Sequence, residues 1–134
     1  MGFIRIEMHE NPISREIVDA AYKIHTSLGP GLLESVYEVL LCHELKKRGL
    51  KVERQVSVPI IYDGICFEEG YRLDLLVENK VIVEVKSIEE LTNVHKKQLL
   101  TYLRLMEKKL GLLINFNEEL IKHGIARVAN GLED

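Results

Sequence analysis

The sequence predicts a mixed α/β fold in which helices cover the faces of one β-sheet. Segments with a helical apolar period and segments of strand-like composition follow one another in the order α-α-β-β-β-α-β-β. A helical segment separates the third strand from the fourth, and such a crossover places two strands in parallel. The fourth strand segment, LGLLINF at 110–116, is almost entirely apolar, which is typical of a strand covered on both faces.

Two helical segments open this order. Residues 12–28 carry an apolar stripe, with Ser14 as the expected N-cap, and they end before the Gly-Pro-Gly breaker at 29–31. Residues 32–49 form the second predicted helix. A basic run followed by glycine marks its end, as helix C-termini prefer.

Strand signals follow the second helix. The apolar alternation of 51–64 leads to an Asp-Gly pair, which favours a tight hairpin turn into the segment 65–77. Gly70 is expected to mark a bulge or bend in that second strand. The third strand, 81–87, follows a short turn around Asn79.

The C-terminal part contains a third helix and two more strands. Residues 91–109 have the helical period, and Thr92 or Asn93 is expected to cap them. After the apolar strand comes 120–131, which the sequence predicts as a weaker strand, or as a short helix and a strand.

Composition limits the class of protein. The chain has 134 residues, 46% hydrophobic and 29% charged, which fits one domain over 1–134. No apolar run approaches the roughly 20 residues of a membrane helix, and the first ten residues carry charges too early for a signal peptide. These features predict a cytoplasmic protein without a membrane partner. Cys42 and Cys66 lack the spacing of a zinc site or a disulfide framework. The net charge of −3 does not by itself favour a nucleic-acid partner.

The third strand places an acid and a base on one face. Glu84 and Lys86 are two residues apart and therefore point the same way. If the turn is a three-residue loop centred on Asn79, Asp74 of the preceding strand lies opposite Glu84. Two facing carboxylates destabilise a sheet unless positive charge lies between them. Mg²⁺ or Mn²⁺ would supply that charge, because both prefer oxygen ligands.

The same residues have a simpler interpretation. An acid and a lysine two positions apart on an exposed sheet face are usually a solvated ion pair, which contributes little to stability. The apolar neighbours Leu76 and Ile82 indicate that a helix partly covers this face. They therefore count in favour of the metal hypothesis.

The acidic residues form part of a longer pattern. Asp74, then Glu84, Val85 and Lys86 on a hairpin, resembles the D-x9-E-x-K motif of the PD-(D/E)XK nuclease superfamily. Leu73 stands where that superfamily usually has a proline before the motif aspartate. The exchange leaves the metal argument intact, because proline supplies no ligand.

Two further motifs extend the resemblance. GLLESVY at 31–37 is similar to the G-x-x-E-x-x-Y signature of a family of small proteins placed in that superfamily. QLLTY at 98–102 is similar to the Q-x-x-x-Y element that recombination-linked nucleases of the superfamily carry on the helix after the E-x-K strand. The resemblance covers residues 14–132.

The resemblance implies a restriction-endonuclease-like fold and metal-assisted hydrolysis of phosphodiester bonds in DNA. It implies that these oxygen ligands hold Mg²⁺ or Mn²⁺: Glu34, Asp74, Glu84 and the backbone carbonyl of Val85. The metal would polarise a phosphodiester oxygen and activate a water. Lys86 would orient that water or neutralise charge on the phosphate. Gln98 and Tyr102, four residues apart on one helical face, would position a phosphate or a nucleotide.

Ordinary structural roles remain open for the same residues. Glu34 suits the first turn of a helix, whose dipole favours an acid. Tyr37 is expected to be a core aromatic, and Gln98 and Tyr102 fit a polar helix surface. Two basic groups either contact phosphates or are solvated helix ends. The first is Lys46, Lys47, Arg48, Lys51 and Arg54, and the second is His95, Lys96 and Lys97.

Three functions follow, with the magnesium-dependent DNA nuclease as the leading one. The second is a non-catalytic module that keeps the fold to bind nucleic acid or a protein, since a fold does not establish an activity. The third is a metal-dependent enzyme for a smaller phosphate ester, for which no nucleotide-pocket motif is present. An enzyme is favoured by the presence of all four residues of the motif, Glu34, Asp74, Glu84 and Lys86. A site that had lost its catalytic activity would have no physical reason to keep repelling carboxylates together. A monomer and a homodimer both remain open.

Overall fold

The computed structural model describes residues 8–133, apart from the side chain of Glu69. The helices are α1 (Glu10–Leu28), α2 (Glu34–Lys47) and α3 (Asn93–Met106). The strands are β1 (Val52–Tyr62), β2 (Ile65–Val77), β3 (Val81–Lys86), β4 (Leu110–Asn115) and β5 (Ile125–Ala129). The predicted order of elements is confirmed. Residues 1–7, for which the sequence predicts no signal peptide, lie outside the described part.

One mixed sheet contains the five strands of the described residues, in chain order. β3 and β4 are parallel, with α3 as the crossover between them, and every other neighbouring pair is antiparallel. β4 is buried along its whole length, as its apolar sequence predicts. The mixed α/β fold predicted from the sequence is therefore confirmed. The single domain over 1–134 stays a prediction.

Each face of the sheet carries its own apolar core. On one face α1 and α2 cover the sheet, and Leu41 and Val83 are fully buried there. On the other face α3 packs Leu99 against Ile82 and its neighbours. Gly111 permits this close approach, because a Cβ there would lie 2.9 Å from the Leu99 side chain. No helix of residues 8–133 is long and apolar enough to cross a membrane.

The prediction that Ser14 caps the first helix is wrong. The helix begins at Glu10, with His9 in the N-cap position, and Ser14 is buried within it. Pro12 accounts for the earlier start. Proline is tolerated in the first helical turn, where its missing N–H has no helical acceptor in any case.

The remaining boundaries lie close to the predicted ones. Thr92 is the N-cap of α3, and its N–H donates to Nδ1 of His95 (2.9 Å). The helix ends earlier than predicted because Glu107 has a φ of +55°. The last segment is a 3₁₀ turn, Ile121–Gly124, followed by β5, which is the second of the two predicted alternatives.

Turns and a bulge set the register of the central strands. Val77 pairs with Val81 across a three-residue loop, as predicted, and the pairing extends to Leu75 with Val83, so that Asp74 and Glu84 are the next residues of the two strands. The bulge predicted at Gly70 is also present, because the register between β1 and β2 shifts there. A Cβ on Gly70 would lie 2.8 Å from a backbone oxygen of β1.

Candidate active site

Asp74 and Glu84 lie where the pairing of β2 and β3 ends. The last backbone pair of these strands is Leu75 with Val83. One step further, the N–H of Val85 donates to Oδ2 of Asp74 (2.7 Å). The carboxyl groups of Asp74 and Glu84 are within hydrogen-bonding reach of each other. Two acidic side chains, those of Asp74 and Glu84, therefore lie together at the end of the β2–β3 pairing.

Glu84 is a buried carboxyl group whose hydrogen-bonding neighbour is Asp74. The residue is 2% exposed, and no described N–H or hydroxyl group donates a well-formed hydrogen bond to either side-chain oxygen. Burial, and after it the charge of Asp74, raises the pKa of Glu84 to about 9. Burial also raises the pKa of Asp74, against the opposing effect of the Val85 N–H. An unpartnered buried polar group is costly and requires an explanation.

A divalent cation fits this pair. Mg²⁺ takes oxygen ligands and is often held by one or two carboxylates, while waters and substrate phosphates complete its shell. In residues 8–133, no three acidic, histidine or cysteine side chains are arranged to hold a metal ion together. Asp74 and Glu84 would thus hold an ion as a pair, and Glu34 as a further ligand stays a prediction. The backbone carbonyl of Val85 and water are the candidates for the other ligands.

Glu34 and Lys86 flank the acid pair. Glu34 is the first residue of α2, and its Oε1 accepts a long hydrogen bond (3.4 Å) from the N–H of Ser87, the residue after β3. Lys86 is the last residue of β3. Its charge lowers the pKa of Glu84 and so opposes the larger, raising effect of burial. Glu34 therefore reaches the end of β3 from the second helix, while its own partner is backbone.

Tyr37 fastens the loop that leads into α2. Its hydroxyl donates to the carbonyl of Gly29 (2.6 Å) and accepts from the N–H of Leu32 (3.2 Å). Its fully buried ring stacks on Phe116, with ring centroids 4.4 Å apart, so the predicted core aromatic is confirmed. Gly31 has a φ of +103°, which side chains rarely adopt. The G-x-x-E-x-x-Y segment is thus a fixed loop–helix junction that sets the position of its glutamate.

Tyr102 covers the acid pair from the α3 side. It stacks on Tyr71 of β2, with 4.4 Å between ring centroids, and Gln98 is within hydrogen-bonding reach of its hydroxyl. Burial, and after it the charge of Glu84, raises the pKa of Tyr102 to about 12. The same two causes raise the pKa of Tyr71. Tyr102 therefore lies close enough to Glu84 to feel its charge, and Gln98 reaches the Tyr102 hydroxyl. The roles of both residues in binding a phosphate or a nucleotide stay predictions.

The comparison with family models decides the relationship. A model described as the PD-(D/E)XK nuclease superfamily matches residues 11–128. The chain belongs to the PD-(D/E)XK nuclease superfamily. The match agrees with the restriction-endonuclease-like fold expected from the sequence. No curated protein and no solved structure matches the chain.

The predicted residues of this PD-(D/E)XK domain are joined by some that sequence reasoning missed. Glu38 is 5% exposed and lies within hydrogen-bonding reach of Asp74. It follows Glu34 by four residues on α2, and this spacing was an available signal, because such residues share a helical face. Tyr71 also borders the site, and no motif or spacing in the sequence indicates it.

The two basic groups of this PD-(D/E)XK domain differ in their pairing. Three of the five residues in the group near the end of α2 form ion pairs within the chain. Arg48 pairs with Glu16, Asp19 and Glu44. Lys51 pairs with Glu53, and Arg54 pairs with Glu38. On α3, Lys96 and Lys97 are exposed, and neither has an ion pair within the described residues. His95 is occupied in the cap of that helix. The lysines of α3 are therefore the better candidates for phosphate contacts.

Proposed function

We propose that this PD-(D/E)XK protein is a magnesium-dependent nuclease that hydrolyses phosphodiester bonds in DNA, with Mn²⁺ able to replace Mg²⁺. The buried, unpartnered carboxyl group of Glu84 beside Asp74 carries the proposal. A divalent cation would replace the proton of Glu84 and give both carboxylates a positive partner. The junction built by Gly31 and Tyr37 supports placing the chain in the G-x-x-E-x-x-Y family of the superfamily.

The side chains around the pair have distinct roles in this proposal. Bound Mg²⁺ supplies a Lewis acid for the phosphate and lowers the pKa of a water. The Lys86 ammonium group neutralises charge that develops on the phosphate. Tyr102 keeps its phenolic proton at neutral pH and can donate it in a hydrogen bond to a phosphate oxygen. Gln98 orients that hydroxyl. Glu34 adds negative charge near the end of β3.

The alternative is a non-catalytic module that binds nucleic acid or a protein partner. It has less support, because Arg48, Lys51 and Arg54 of the cluster on which such binding would depend are engaged in ion pairs. A module without chemistry would also carry the free-energy cost of the Glu84 carboxyl group without benefit. The cytoplasmic location and a homodimer stay predictions.

Lys86→Ala tests the nuclease directly, because it removes a charge from the site and no metal ligand. We expect DNA cleavage to fall about a hundredfold or more, while the Kd for Mn²⁺ changes less than about twofold. The assay uses single-stranded, double-stranded and branched DNA, and RNA, each with Mg²⁺ and Mn²⁺. Lys46→Ala, in the last turn of α2, makes the same chemical change far from the site and should cut like the wild type.

Two results would contradict the proposal. Purified wild-type protein that binds DNA but cuts none of these substrates with either metal supports the binding module. Equal cleavage by the wild type and Lys86→Ala points to a contaminating nuclease, or to chemistry that does not use Lys86.

A further inference from the structure

β1 is distorted at the level of the acid pair. Arg54 pairs with Leu75 and Val56 pairs with Leu73, so Gln55 stands opposite Asp74 without forming a backbone pair of its own. Gln55 has a φ of +54°, in the left-handed region that is uncommon for residues other than glycine. Strained backbone of this kind clusters at functional sites, where surrounding contacts hold it in place.

The distortion brings two neighbouring side chains of β1 to one carboxylate. Gln55 Nε2 donates to Oε1 of Glu38 (2.7 Å), and Arg54 donates to Oε2 through Nη2 (2.7 Å) and Nε (3.2 Å). In a regular strand, consecutive side chains point to opposite faces, so a strand without this distortion would direct only one of them to Glu38. The strained residue therefore serves to hold Glu38.

Glu38 is in turn directed at the candidate metal centre. It is 5% exposed, and its carboxylate is within hydrogen-bonding reach of Asp74. A carboxylate offers about four lone-pair sites, and Arg54 and Gln55 fill three of those on Glu38. One site on Oε1 remains. Because most of its capacity is taken, Glu38 is suited to accept a single hydrogen bond and not to coordinate a cation directly.

We infer that Glu38 is a positioning residue of the metal centre, and that Arg54 and Gln55 aim it. Glu38 accepts a hydrogen bond from a water in the shell of the cation held by Asp74 and Glu84. The inference rests on the proposed function, because it requires a cation at that pair. The unpartnered, 2% exposed carboxyl group of Glu84 is the independent sign of such a ligand. Groups that support metal ligands in this way typically contribute ten- to a hundredfold to metal affinity or activity, by the general rule for such partners.

The test measures Mn²⁺ binding by the full chain in the absence of nucleic acid, by titration calorimetry. Glu38→Gln should raise the Kd for Mn²⁺ about tenfold to a hundredfold. Glu44→Gln is the matched control, because Glu44 is also a buried, ion-paired glutamate of α2, with Lys23 and Arg48 as its partners. It should bind Mn²⁺ like the wild type. Glu84→Gln, which alters a proposed ligand, should abolish binding.

Gln55→Asn separates metal positioning from folding. Asparagine tolerates the left-handed conformation, but its amide is one methylene shorter and no longer reaches Glu38. We expect the melting temperature of the metal-free protein to fall, because the buried Glu38 carboxylate loses a donor, and Mn²⁺ to bind more weakly. Glu44→Gln also removes hydrogen bonds from a buried carboxylate, so a residue that only stabilised the fold would behave like Glu44→Gln and leave the Kd for Mn²⁺ unchanged.

Three outcomes overturn the inference, and they differ from one another. Unchanged Mn²⁺ affinity in Glu38→Gln and Gln55→Asn, with binding lost in Glu84→Gln, removes the role of Glu38 and leaves the proposed nuclease site standing. Complete loss of binding in Glu38→Gln makes Glu38 a direct ligand. Wild-type protein that binds no Mn²⁺ refutes the proposed function together with this inference.

Discussion

Glu84 keeps its proton in the folded, metal-free chain far above the pH at which the unfolded chain releases it. Burial, with the charge of Asp74, raises its pKa from the ordinary 4.5 to about 9. Between these values the unfolded state binds fewer protons than the folded state, so stability falls as the pH rises. We therefore expect the melting temperature of metal-free protein to decrease from pH 5 to pH 8, as measured by scanning calorimetry.

Glu84→Gln is the control for this pH dependence, because glutamine does not titrate. Its melting temperature should vary less with pH, and at pH 8 the variant should be no less stable than the wild type. Mn²⁺ replaces the proton in the wild type, so it should stabilise the protein more at pH 8 than at pH 5. The same pH slope in both proteins would show that another group is responsible.

Among single residues, the sequence predicted the positions of those that follow from the register of β2 and β3. Asp74 and Glu84 face each other because the loop around Asn79 has three residues, and alternation then places Lys86 beside them. Gln55 could not be found in this way. Its left-handed backbone occurs together with a hydrogen bond to Glu38 of α2, and a glutamine in a strand carries no local signal for a positive φ.

At the scale of elements, the junction of the first loop with α2 determines where Glu34 meets β3. Tyr37→Phe keeps the ring stacked on Phe116 but removes the hydrogen bonds to Gly29 and Leu32. The Leu32 N–H and the Gly29 carbonyl then lose a partner, at a cost of about 1–2 kcal/mol in unfolding free energy. Denaturant titration measures this loss.

The effect of Tyr37→Phe should extend to the metal site. If the loop positions Glu34, the variant should also cleave DNA more slowly at saturating Mg²⁺, although Tyr37 does not touch the acid pair. Tyr22→Phe, which alters an exposed tyrosine of α1, is the control and should change neither quantity. Full activity in a clearly destabilised Tyr37→Phe would limit the tyrosine to folding.

The helices, the strands and their order along the chain were predictable, because each kind of element has a distinct apolar period. The exchange of faces within β1 and β2 was not predictable. Val52 packs beneath α1 and α2, whereas Val56, which regular alternation would place on the same side, packs against α3. β2 makes the same change between Leu75 and Leu73. In a regular strand, all odd-numbered residues point to one face of the sheet and all even-numbered residues point to the other. The distortion at Gln55 breaks that rule at the position where the site forms.

At the scale of the whole molecule, the proposed nuclease has to attract a polyanion although its centre is acidic and its net charge is −3. Ion pairs within the chain neutralise Arg48, Lys51 and Arg54. Lys86 at the end of β3, and Lys96 and Lys97 near the start of α3, form no ion pair within the described residues. Affinity for DNA should therefore depend on this end of α3 and on the cation that offsets the carboxylates.

The double variant Lys96→Ala/Lys97→Ala tests this distribution of charge. Each lost phosphate contact lowers the slope of log affinity against log salt by about 0.9, so the slope should fall by up to about two units and binding should weaken. Lys46→Ala/Lys47→Ala removes the same charge twelve residues beyond Glu34 on α2, about 18 Å along a helix axis, and should change the slope little. Fluorescence anisotropy with Mg²⁺, in a Lys86→Ala background to limit cleavage, measures both slopes. A larger effect of the α2 pair would locate the nucleic acid on the far end of that helix, away from Glu84, and would favour the binding module over the nuclease.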